Sequence, residues 1–403
     1  MIVRYVVPAL GALAISATPI FAAETGLSKD AVTIGGWVDT MLTVAEMPGQ
    51  TGTGLTAKEE SGTGIEFSAM ASLKVGWTLS DKAKARINLW FGNQDVNTGT
   101  PAYPGAINMR EAYLVYDLGS NLSWTMGKYI NHLGWESVEP TGLYRVNFGI
   151  VQSMFYGNDV VGTAIGWADK NSPFSGSFHV VNGYFNPADA RNGSFRNNLT
   201  AGNGSGVSRP ATRNNNNLGV GLDLVMGFNK NSKGDYENNI NLEFAYDPNA
   251  GTNSPAAGLG GDVFQTGLNA TITSIPKWVF GGEVIYRNTT SARPATGIGH
   301  VPGSHRQDFG WALLANMKVT DKCSVTANFQ EVSQDWRGGG LGSTSNQVVD
   351  EYTLALLTQP LSNSNLGVNL ELSYLDTQEH NAAVSSAYDH AWIGALEGII
   401  IIP

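Results

Sequence analysis

Polar and apolar residues alternate with period two through most of this chain. In Ile65–Leu79 the apolar set is Phe67, Ala69, Ala71, Leu73, Val75, Trp77 and Leu79; the other set is Glu66, Ser68, Met70, Ser72, Lys74, Gly76 and Thr78. In Tyr236–Asp247, Ile240, Leu242, Phe244 and Tyr246 oppose Asn239, Asn241, Glu243 and Ala245. In Leu366–Thr377, Val368, Leu370, Leu372 and Tyr374 oppose Asn369, Glu371 and Ser373. Such alternation gives a strand one apolar and one polar face. The predicted strands are Val32–Ala45, Ile65–Leu79, Ala83–Phe91, Ile107–Leu118, Leu122–Ile130, Asp159–Ala168, Phe174–Phe185 and Leu218–Gly227. They continue with Tyr236–Asp247, Asp262–Thr273, Trp278–Asn288, Gln307–Val319, Cys323–Ser333, Gln347–Thr358, Leu366–Thr377 and Ala391–Ile402. Most have the ~9–11 residues that a tilted strand needs to cross a bilayer.

The connections carry the second signal. Short ones at 80–82, 119–121, 169–173, 228–235, 274–277, 320–322 and 359–365 hold turn chemistry such as Ser-Asp-Lys and Gly-Ser-Asn. Long ones fall at 46–64, 92–106, 131–158, 186–217, 248–261, 289–306, 334–346 and 378–390. Short and long alternate without exception, as in a barrel with tight turns at one rim and long loops at the other. The predicted fold is all-β: a transmembrane antiparallel up-and-down β-barrel of about 16 strands, filling residues 24–403. Trp77, Phe91, Trp124, Tyr246, Trp278, Tyr286 and Tyr374 lie toward strand ends on the apolar faces, where interfacial girdles belong. A soluble β-sandwich also alternates, but up-and-down order would leave it edges to protect, and closure removes them.

Composition agrees. Of the 403 residues 14% are charged, below the ~25% of soluble domains, with 49 Gly. The formal net charge of −10 argues against a nucleic-acid partner, which favours basic surfaces. Residues 1–23 read as a secretion signal: Arg4, an apolar stretch from Tyr5 to Ala17, then Ala22 and Ala23 for cleavage. The C-terminal Gly398-Ile399-Ile400-Ile401-Ile402-Pro403 loses the alternation. Either Ala391–Gly398 closes the barrel with an odd tail, or the C-terminus is altered or truncated.

The candidate chemistry gathers in the third long connection. It runs from Asn131-His132-Leu133-Gly134-Trp135-Glu136 through Glu139-Pro140 to Arg145 and Asn147, and it is more aromatic than its neighbours. Folded into a lumen, it would bring Glu136, Glu139 and Arg145 to a constriction. The adjacent wall offers Lys74, Lys84, Arg86, Arg110, Glu111 and Lys128. Loop carboxylates facing a basic wall would set up a transverse field that screens solutes. Rim solvation, or pairing of the charges within the wall, is the equally weighted alternative. Nothing in the pattern asks for a metal or cofactor, and an enzyme is not expected: the six His show no ligand spacing, and His179 beside Ser177 is a local coincidence. The long Asn-rich connection with Arg191, Arg196, Arg209 and Arg213 reads first as a solvated outer loop, and otherwise as a surface receptor or adhesion site or a lipopolysaccharide contact.

One resemblance is specific. Arg110-Glu111-Ala112-Tyr113, Gly127-Lys128-Tyr129, Gly134-Trp135-Glu136 and Glu139-Pro140 resemble the OmpL-like outer-membrane β-barrel porin family over residues 110–167. The resemblance implies a bacterial outer-membrane barrel with solute passage, and no particular substrate. The expected function is therefore a porin for passive diffusion of small hydrophilic solutes. Its expected partners are outer-membrane lipid, lipopolysaccharide and those solutes, and a homotrimer is compatible with the strand number. The alternatives are a non-conducting surface barrel acting as adhesin or structural protein and, more weakly, a secreted soluble β protein.

Overall fold

The computed structural model describes residues 32–47, 62–92, 107–137, 139–156, 159–185, 218–248, 262–290, 305–337, 345–359, 365–379 and 390–402. The leader at 1–23 and most of every long connection except the third lie outside these residues, including the run from Arg191 to Arg213.

All sixteen predicted segments form strands. They are β1 (Val32–Met47), β2 (Gly62–Thr78), β3 (Ala83–Gly92), β4 (Ile107–Gly119), β5 (Leu122–Tyr129), β6 (Val160–Ala168), β7 (Phe174–Val181) and β8 (Gly219–Lys230). Next come β9 (Tyr236–Asp247), β10 (Val263–Ile272), β11 (Trp278–Thr290), β12 (His305–Thr320), β13 (Cys323–Arg337), β14 (Ser345–Thr358), β15 (Leu366–Glu379) and β16 (His390–Ile402). Each pairs antiparallel with its neighbour in sequence, and β1 pairs with β16 to close the barrel. Closure leaves no open edge, which is how a sheet satisfies its backbone groups in lipid.

Strand ends shift by up to four residues from the sequence expectation along most of the barrel, and two differences carry a structural lesson. The predicted Phe174–Phe185 stops at Val181, because the amides of Tyr184 and Phe185 turn to donate to Asp247 on β9 at 3.0 and 3.1 Å. The Ile run at the C-terminus is no tail: Ile399–Ile402 is paired with β1, from Asp39↔Ile399 to Gly36↔Ile402. Pairing on both sides of β16 outweighs the missing alternation. At the short-turn rim Ser120 and Asn121 both adopt positive φ (53° and 64°), the geometry of a tight type I′ hairpin.

The faces divide as alternation requires. Phe67, Leu313, Leu354 and Leu372 point outward and are exposed, a surface that suits lipid and would be costly in water. An aromatic belt crosses the outside of β12–β16: Trp311–Phe329 at 4.8 Å between centroids, Phe329–Tyr352 at 4.7 Å, Tyr352–Tyr374 at 6.3 Å and Tyr374–Trp392 at 4.7 Å. The lumen side carries Ser72, Asn88, Glu111, Asn241, Glu243 and Gln330, all buried. Burial of so many polar groups is tolerable only because they bond one another and one lumen segment.

Alternation fails at Arg110. Asn88 pairs with Glu111 and Leu89 with Met109, so Arg110 is an extra residue in β4. This bulge lets Arg110 and its neighbour Glu111 both engage lumen groups, where a regular strand would put them on opposite faces.

Candidate functional site: the lumen segment

The third long connection, read from the sequence as residues 131–158, folds into the barrel over its described residues, 131–137 and 139–156. Its polypeptide makes no sheet of its own, so its backbone N–H groups need acceptors from the wall. Four mid-strand glutamates provide them. Glu243 on β9 accepts from the Gly134 amide at 2.6 Å. Glu283 on β11 accepts from the Trp135 amide at 3.2 Å and from the Tyr156 hydroxyl at 2.5 Å. Glu371 on β15 accepts from the amides of Val146 and Asn147, at 2.6 and 3.2 Å, and from the Asn147 side chain. Glu351 on β14 accepts from the Ile150 amide at 2.8 Å.

Ile150 opens a short helix, α1 (Ile150–Phe155). The first N–H groups of a helix lack internal acceptors. Glu351 takes one, and Gln330 on β13 takes the next, from Val151 at 2.9 Å. Val151, Phe155 and Tyr156 then pack on Ile285, Ala312 and Val332 of β11–β13. The wall is hollowed to receive the segment: a Cβ on Gly281 would lie 1.9 Å from the Trp135 ring, and one on Gly310 2.5 Å from Phe155. Gly281→Val should therefore expel Trp135 and break its indole bond to Thr271 (2.7 Å). The expected readout is faster proteolysis within 131–158 in a barrel that still migrates as heat-modifiable; unchanged protection would mean that the wall yields instead.

The predicted site residues separate into three groups. Glu139 meets the basic wall: it pairs with Lys74 and accepts from the Asn88 amide at 3.0 Å. The same amide donates to Glu111 at 3.0 Å, and Arg86 lies 3.2 Å from Glu111. Ser72 donates to Asn88 at 2.7 Å, so this cluster joins β2, β3, β4 and the segment. Lys84 sits half-buried one alternation step from Arg86. Second, Arg110 and Lys128 converge on Asp159 at 2.9 and 3.5 Å, with the Arg110 guanidinium 4.4 Å from the centre of the Trp90 ring. Third, Glu136 and Arg145 do not reach the basic wall. They bind each other through two bonds of 3.1 and 3.0 Å, and Arg145 also reaches Glu351 at 3.3 Å.

Burial pushes the Glu136 carboxyl up from its ordinary value, and the Arg145 charge opposes that shift. For Arg145, burial acts downward, but Glu136, Glu351 and Glu371 outweigh it and hold the guanidinium protonated. His132 lies at the root of the segment, stacked 4.3 Å from His179, and its Nε2–H donates to the Phe244 carbonyl at 3.2 Å. Burial lowers the His132 pKa to about 4, so the ring is neutral at physiological pH. His179 contacts Ser177 at 2.7 Å. Both are buried, and the Tyr129 hydroxyl faces the other ring nitrogen at 3.3 Å.

The sequence reading missed the four anchoring glutamates, Asn88, Tyr156 and Asp159. A signal for the first was present. Alternation already set Glu243 and Glu371 on polar faces, and a mid-strand carboxylate facing a narrow lumen needs a partner.

The family profile described as "Putative beta-barrel porin-2, OmpL-like" matches residues 31–389. The chain belongs to this OmpL-like porin family. Solved structures share its architecture. The outer membrane channel DcaP of Acinetobacter baumannii aligns with a TM-score of 0.56 at 10% identity, over 94% of this chain and 99% of that one. An anion-selective porin from Comamonas acidovorans gives 0.52 at 13% identity, over 92% and 98%. OmpT of Vibrio cholerae in its trimer form gives 0.50 at 13% identity, over 92% and 100%. At such identities the likeness speaks for the fold alone. No curated protein sequence matches this OmpL-like porin-family chain.

Proposed function

We propose that this protein is a bacterial outer-membrane porin that lets small hydrophilic solutes diffuse through a lumen narrowed by residues 131–158. The observation that carries this reading is the lumen segment itself. A closed barrel with an apolar exterior encloses a polar interior, and one segment, bonded to wall strands on several sides, reduces the bore. The mechanism is partition into lumen water, limited by width and by the field between the Lys74–Arg86 side and the glutamates of β9–β15. Lipid and lipopolysaccharide would surround the barrel, and the trimer of the Vibrio cholerae neighbour supports a homotrimer here.

A second reading has one observation in its favour. The bonds from the segment to β9, β11, β13, β14 and β15 would also suit a plugged barrel that acts through its outer loops. Single-channel recording of the mature protein in a planar bilayer separates the two. Stable stepwise openings are expected. A folded, heat-modifiable barrel that never conducts would move the function to the cell surface.

A further inference from the structure

We infer that the passage prefers small anions, and that Lys74 and Arg86 select them; this rests on the reading of the chain as an open porin. The sequence as a whole points the other way, since its formal net charge is −10. What a solute meets is decided by which charges face lumen water, and here the two signs are used differently.

The wall carboxylates that meet the segment are committed. Glu243, Glu283, Glu351 and Glu371 are buried, and each accepts at least one N–H of the lumen segment. A passing cation would find their oxygens already bonded and covered by the segment. The cations on the opposite side are turned the other way. In the Lys74–Glu139 pair the side-chain exposures are 24% and 14%, and in Arg86–Glu111 they are 21% and 1%. Arg110 and Arg287 are likewise more exposed than Asp159 and Asp308, with which they pair. Buried Arg145 is the exception among the described lumen pairs.

Asn88 explains the asymmetry. Its side-chain amide donates to both Glu111 and Glu139 at 3.0 Å, which draws the carboxylates toward β3 and leaves the ammonium and guanidinium nearer to water. A lysine has three N–H donors and an arginine five, more than Glu139 and Glu111 use in these contacts. An anion can thus be hydrogen-bonded directly in transit where the segment crosses the lumen; the exposed carboxylate on the same face of β2, Glu66, lies away from that crossing, toward the end of β2 that follows the first long connection. The distances are short relative to the Debye length of ~10 Å at 0.1 M salt, so the preference should survive moderate ionic strength. Direct donors of this type fit halides and small carboxylates, with no demand for one particular anion.

The test is the reversal potential of the full mature protein in a potassium chloride gradient. Wild type should reverse toward the chloride equilibrium potential, with a chloride-to-potassium permeability ratio severalfold above unity. K74Q/R86Q should bring the ratio to unity or below, and K74R/R86K should keep it above. Heat-modifiable migration checks each variant, and the wild-type sign decides the matter even if the double variant fails to fold. Stepwise currents with a potassium preference, or a ratio that K74Q/R86Q leaves unchanged, would overturn the anion inference and leave the porin standing. Absence of stepwise current in wild type would overturn the porin reading itself.

Discussion

Deleting residues 135–147 should raise single-channel conductance severalfold. The deletion removes Trp135, Glu136, Glu139 and Arg145, which carry the segment from the Thr271 side of the wall to Lys74 and to Glu351. Wall groups left behind, such as Glu371 and Asn88, would exchange segment donors for water, which a wider lumen can supply. The barrel itself should survive, because every strand is paired on both sides and none of that pairing involves the deleted residues. Conductance is set by the narrowest section of the water column, so removing the crossing segment acts on the limiting element. Recording in symmetric potassium chloride, beside wild type, gives the answer. An unchanged step size would mean that ions already bypass the segment.

Arg145→Ala should release the segment without unfolding the barrel. Arg145 is fully buried between Glu136 and Glu351, with paired bonds to the first. Removing one partner of a buried pair typically costs about 3–5 kcal/mol, because a charge is left buried without compensation. Here two carboxylates lose their cation, and the strain can be relieved locally if the segment swings into water. The amides of Val146, Ile150 and Val151, now bonded to Glu371, Glu351 and Gln330, should then exchange hydrogen about a hundredfold faster or more, since each 1.4 kcal/mol is a factor of ten. Strand amides should keep their protection. Glu136→Gln and Glu351→Gln added to Arg145→Met should restore much of the slow exchange, because the buried charges then disappear together. Equal exchange in wild type and Arg145→Ala would show that the glutamate–amide bonds hold the segment unaided.

The sixteen strands and the faces they present were legible along the chain because both are local properties. A side chain two residues away shares a face whatever the rest of the protein does, so the faces read for β2, β9 and β15 are those of the structure, with Leu79 falling just past the end of β2. The basic wall on β2–β5 and the special character of residues 131–158 were legible for the same reason: composition and alternation locate them. The bulge at Arg110 was not, since a single extra residue changes facing without changing composition.

What only the tertiary structure decided is who partners whom across the lumen. Val146 and Glu371 are 225 positions apart, and Arg145 and Glu351 206. No local rule relates such pairs, because closure of the barrel is what brings β14 and β15 opposite a segment that follows β5. That closure turned Glu136 and Arg145 into a buried anchor, left Glu139 to meet Lys74, and gave the wall glutamates backbone donors to hold. The sequence by itself determined a barrel with a polar lumen and a segment suited to enter it. The structure determined which charges that segment covers and which it leaves to the water, because desolvation and pairing depend on distance in space, to which spacing along the chain is blind.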